Sequence, residues 1–156
     1  MTIHNIFLSF LSKVSNTSIK TIVNTDIEDA IRSSIATNES SLKYILYHTW
    51  KDEKTRDISF DKIYLLCTDG VMAHQSNSPS SYDIFVNQMC KFYNVMGHNE
   101  QAFFDALDHV PCGTDLDDIS RIKSSIIEMS KKILDFKDTF TNDKDEVRLY
   151  MDITGG

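Results

Sequence analysis

Three short stretches of the chain place hydroxyls, a carboxylate or glycine just past an apolar run. They are "FLSFLSK" with Ser9, Ser12 and Lys13, "LLCTDG" with Thr68, Asp69 and Gly70, and "MDITGG" with Asp152, Thr154, Gly155 and Gly156. Glycine removes the Cβ that would hold a ligand away from the backbone. Backbone N–H groups can hold an anion such as phosphate without any surplus of lysine. The five histidines, His4, His48, His74, His98 and His109, show neither metal-ligand spacing nor a paired nucleophile. Cys67, Cys90 and Cys112 are odd in number and form no C-x-x-C, so they read as reduced, buried small hydrophobes. No metal and no cofactor are expected. Neither G-x-G-x-x-G nor G-x-x-x-x-G-K-[ST] occurs, which argues against a dinucleotide or a nucleoside triphosphate.

The formal net charge of −7 over 156 residues repels long nucleic acid at a distance, while a small nucleotide remains compatible with it. With 41% hydrophobic and 25% charged residues the chain reads as one folded domain, residues 1–156, large enough to bury a core without disulfides. No apolar run approaches a membrane span, and "MTIHNIFLSFLSKV" lacks the pattern of a signal peptide. The expectation is a cytoplasmic protein with no membrane partner.

Elements that would position the three stretches follow from periodicity. "IHNIFLSFLS" reads as a buried first strand, and "KVSNTSIKTIVNT" as a loop with a short extended piece at Ile19 to Val23. The Thr25 and Glu28 spacing suggests a capping box opening a short helix through Ile35. Leu42, Ile45, Leu46 and Trp50 mark a second helix, and Ile63 to Cys67 a strand buried on both faces. Tyr82, Phe85, Met89, Phe92 and Met96 predict a helix after Pro79. A short helix near Glu100 to Ala106 and a strand ending at Val110 follow, then a long helix with Ile119, Ile122, Ile126, Met129, Ile133 and Phe136 on one stripe and an acidic first turn. Val147, Leu149, Met151 and Ile153 predict a last strand with a buried face. Alternating strands and helices give an α/β, Rossmann-like, mainly parallel sheet with helices on both faces, whose ligands bind at the carboxyl ends of strands.

Taken together, "IFLSFLS", "DKIYLLCT", "HVPCGTDLDDISRIKSSIIEMSKKIL" and "LYMDITGG" resemble, in order along nearly the whole chain, the CRISPR-associated Rossmann fold, or CARF, sensor domain. The resemblance implies a homodimer that binds a cyclic oligoadenylate second messenger of a type III CRISPR defence in a cleft across the two-fold. It assigns ligand contact to Ser9, Ser12 and Lys13 in the loop after the first strand and to Thr154, Gly155 and Gly156 after the last, with Asp152 shaping that loop. Thr68 and Asp69 would line the same cleft. Two departures stand out: many relatives carry glycine where Ser12 stands, and the family continues past "DITGG" into further elements and an effector domain, so the chain looks like a truncated sensor.

Two other readings belong to different classes. One is a ring nuclease, in which a ribose 2′-hydroxyl attacks the adjacent phosphate and the site, with Ser12, Lys13 and Thr154 as candidates, positions and stabilises charge. The other is a Rossmann-like interaction domain without a nucleotide. No Arg is followed four to six residues later by His, the pattern of the ribonuclease domain often fused to such sensors.

Overall fold

A computed structural model of the chain describes residues 1–14, 20–21, 33–34, 38–74, 77–114 and 119–152. The chain order is β1 (Ile3–Phe10), β2 (Lys20–Thr21), β3 (Ser33–Ser34), α1 (Glu39–Lys51), β4 (Lys62–Cys67), α2 (Asp69–Met72), α3 (Ser81–Val95), α4 (Glu100–Ala106), β5 (Leu107–Pro111), α5 (Ile119–Asp138) and β6 (Glu146–Asp152).

β1 and β4 are apolar almost without interruption because they are central, and a central parallel strand sends successive side chains into two cores. Phe7, Ile63, Leu65 and Cys67 join one core with Leu42, Leu46, Trp50, Phe85 and Met89 from α1 and α3. Ile6, Leu8, Tyr64 and Leu66 join the other with Val110, Cys112 and Met129. The four long strands pair in parallel in the order β5-β4-β1-β6, with helices on both faces, the α/β arrangement expected. Among the described residues no helix is long and apolar enough to cross a membrane.

The helices lie close to where periodicity puts them. Ser80 caps α3, its hydroxyl accepting from the Asp83 N–H at 3.1 Å, and Asn99 caps α4 by accepting from Gln101. Gly113, at φ +85°, turns the chain out of β5; a Cβ there would stand 3.1 Å from Cγ of Arg121.

Several expectations need correction. Ser33–Ser34 pair antiparallel with Lys20–Thr21, so no helix runs through them to Ile35. β1 ends at Phe10 rather than Ser12: the Leu11 N–H still donates to the Leu66 carbonyl of β4, but the Ser12 N–H goes to the Asn38 side chain instead of a strand. α5 is described from Ile119, and the acidic first turn expected at Asp115, Asp117 and Asp118 lies outside the described residues. Of its six-residue stripe only Met129 is fully buried, and Ile119 and Ile126 are exposed. The reason is the helix's lateral position. Ser125 Oγ donates to the Pro111 carbonyl and Lys132 Nζ reaches Asp108, drawing α5 over β5 and β4 and away from β6. Leu149 and Met151 therefore stand exposed, while Asp152 on the opposite side of the strand is buried. Of the apolar alternation of β6, Val147 packs on the second core while Leu149 and Met151 stand open, and Ile153 lies outside the described residues.

A buried polar crevice between the ends of β1 and β6

Strand order runs one way from β1 through β4 to β5, then reverses, placing β6 on the other side of β1. At such a reversal the connections leave in opposite directions and a crevice opens beyond the carboxyl ends of the two strands that flank it. Here those ends are Ser9 and Asp152, the last pair of the β1–β6 ladder.

Asn38 fills the space just past that pair. Fully buried, it stands immediately before α1, and its side chain leaves the helix N-terminus uncapped to bond across the sheet end. Its Oδ1 accepts from the Ser12 N–H at 2.9 Å. Its Nδ2 donates to Ser9 Oγ at 2.8 Å and to the Phe10 carbonyl at 2.9 Å, with a longer 3.3 Å approach to Asp152 Oδ2. The amide orientation is fixed by its partners, since Ser12 offers only a donor and Phe10 only an acceptor. Ser41, one turn into α1, donates to the same Asp152 oxygen at 2.5 Å. Residues from three separated parts of the chain thus share one buried network, which orders the crevice far more sharply than independent contacts would.

Below it, Lys43 Nζ meets Glu39 Oε2 at 2.9 Å, both ends buried, with the ammonium 5.9 Å from the centre of the Phe92 ring. The pair lies within α1, and the Lys43 ammonium is what meets α3, over the Phe92 ring. On the α5 side of the sheet, a cavity of about 210 Å³ opens at the same end, walled by Leu8, Phe10, Leu66, Met129 and Met151, with Ser9 and Asp152 also lining it.

The sequence candidates fall into distinct places. Ser9 is buried and supports the network, its hydroxyl accepting from Asn38 and donating to the Phe10 carbonyl at 3.3 Å. Ser12 is half-buried at the mouth and Lys13 is exposed beside it. The following residue, Val14, donates its N–H to Ser81 Oγ, pinning this loop to the start of α3. Thr68 and Asp69 end β4, one strand away from the crevice, where the Asp69 N–H donates to the Gly113 carbonyl. Thr154, Gly155 and Gly156 lie outside the described residues.

Asn38 and Ser41 were not singled out by sequence reasoning. A signal existed: Asn four residues before the helical stripe beginning at Leu42 is a favoured helix-start residue, although here its side chain serves the crevice instead. Two histidines act as flat packing groups, His98 stacked 3.7 Å from the Trp50 ring and His4 3.8 Å from Phe140. Burial lowers the His98 pKa. All three cysteines are buried, and burial, with the Cys112 thiol adding to it, pushes Cys67 up to about 12.

Compared with family models, curated proteins and solved structures, the chain matches none.

Proposed function

We propose that the chain is a sensor module that binds a cyclic oligoadenylate in the crevice between β1 and β6. The observation that carries this reading is the buried Ser9–Asn38–Ser41–Asp152 network at the strand-order reversal. It fixes the exit of β1, and with it Ser12 and Lys13, at the point where ligands of parallel sheets bind. A ring of nucleotides asks for short donors close to the backbone and for flat walls against its bases. Ser12, the Lys13 ammonium and neighbouring N–H groups supply the first, and the apolar cavity beside Met129 and Met151 supplies the second. The resemblance to CARF domains supplies the identity of the ligand.

A symmetric ring is matched best by two copies, each contributing one crevice. The exposed Ile126, Leu149 and Met151 next to the cavity provide apolar surface for such pairing.

Titration calorimetry with cyclic tri-, tetra- and hexa-adenylate, with linear oligoadenylate as control, tests the reading. The expected result is saturable heat with one ring size at one ring per two chains. Equal heat with the linear control, or none with any ring, overturns it.

A further inference from the structure

We infer that Asn38 is the positioning residue of the crevice: a side-chain wedge that couples the loop carrying Ser12 and Lys13 to Asp152 of β6. The inference rests on the proposed ligand reading for its effect on binding, while its structural part stands on geometry alone.

The ladder runs in regular parallel register from Ile3↔Glu146 to Ser9↔Asp152. Beyond that pair the Phe10 carbonyl, which closes β1, receives a hydrogen from the Asn38 amide. The carboxamide thus lies beside the carboxyl end of the described pairing, on the Phe10 carbonyl. The same group then holds each side of the opening. Its carbonyl oxygen takes the Ser12 N–H, which turns the chain away from β6, and its nitrogen reaches the Asp152 carboxylate that ends β6.

No other common side chain does this equally. Aspartate would keep the acceptor for Ser12 but set a second carboxylate oxygen about where the 3.3 Å contact to Asp152 now lies, and would offer no hydrogen to Phe10. Leucine, of similar size, would leave the Ser12 N–H, the Phe10 carbonyl and Asp152 without this partner in a buried site. Ser41 gives Asp152 a second donor from the same helix, so α1 holds β6 by two side chains and β1 by one.

The test is a charge-exchange cycle between positions 38 and 152. Asn38→Asp weakens binding of the cyclic adenylate that the wild-type chain takes up by about tenfold or more, as expected when contacting residues of one network are set against each other. Asp152→Asn alone changes it little, because an amide oxygen still accepts from Asn38 and Ser41. The double variant Asn38→Asp/Asp152→Asn binds at least about threefold more tightly than Asn38→Asp alone, since the amide at 152 can then donate to the acid at 38, although the Phe10 carbonyl still lacks its hydrogen. A structural role without coupling predicts additive losses and no rescue, and that outcome overturns the inference.

Amide hydrogen exchange provides a readout independent of the ligand. Asn38→Ala is expected to speed exchange at Ser12 by at least about tenfold, leaving the middle of β1 protected. Unchanged Ser12 exchange overturns the wedge. If wild-type protein binds no ring, the function proposal fails by itself, and the exchange rates still decide on Asn38.

Discussion

The two ends of the sheet close in different ways. At the amino end, each carboxylate answers a backbone pair close by. The Asn5 N–H donates to Asp61 Oδ2 at 2.7 Å while the Asp61 N–H donates to the Asn5 carbonyl. The Thr2 N–H donates to Asp145 Oδ1 at 2.7 Å, and the Glu146 N–H returns to the Thr2 carbonyl. His4 stands between these acids, 3.4 Å from Asp61 and 3.7 Å from Asp145. These are partly exposed clips, each tying two neighbouring strand ends. At the carboxyl end the polar groups are buried, and one side chain, Asn38, serves both β1 and β6. A sheet end that only needs closing can be closed with surface carboxylates; burying the Asn38 amide, the Ser9 hydroxyl and the Asp152 carboxylate costs desolvation that only complete pairing offsets. The difference marks the carboxyl end as the one built for shape.

Four substitutions and one titration break or sharpen that contrast. The largest effect is expected at Lys43. Lys43→Ala leaves the buried Glu39 charge without its ammonium and should cost about 3–5 kcal/mol in chemical denaturation. Ser41→Ala removes one donor to Asp152 and should cost about 1–2 kcal/mol, together with a measurable loss of ring affinity. At the other end, Asp61→Ala should cost about 1 kcal/mol or less and leave ring affinity unchanged, because its contacts are partly exposed and distant from the crevice. If Asp61→Ala weakened binding as much as Ser41→Ala, the two ends would not differ in role. The smallest effect on folding belongs to Leu149→Lys, within about 0.5 kcal/mol for an exposed position. The same change should shift light scattering toward monomer if β6 and α5 form the pairing surface.

Cys67 gives a pH signature for the carboxyl end of β4. Burial holds its thiol neutral up to about 12, against an ordinary value of 9.0. The unfolded chain therefore loses that proton first, and the stabilising contribution is complete below pH 9 and disappears as pH rises toward 12. Denaturation midpoints should fall over that range, and Cys67→Ser should show a shallower fall. An unaltered slope in the variant would remove Cys67 as the cause.

Much of the fold was legible because central parallel strands must be apolar on both faces, which Ile63 to Cys67 displays directly. Helix stripes such as Leu42, Leu46 and Trp50 were legible for the same reason, since burial imposes a period. Which face of β6 would be covered was not, because alternation states that two faces differ and not which one meets a helix. Leu149 and Met151 are exposed through the lateral placement of α5, set by Ser125 and Lys132 far along the chain. The crevice was half legible. Ser9 and Asp152 lie at strand ends and were found there, whereas Asn38 joins them across 29 and 114 residues of sequence, a proximity that only the closed sheet creates.

The most direct test of the account is an amide-resonance titration of the isotope-labelled chain with the cyclic adenylates. The account predicts shifts concentrated at Ser12, Lys13 and the Asn38 side-chain amide, with Thr2, His4 and Asp145 unmoved. Shifts centred on the amino end, or no shifts with any ring, would contradict it.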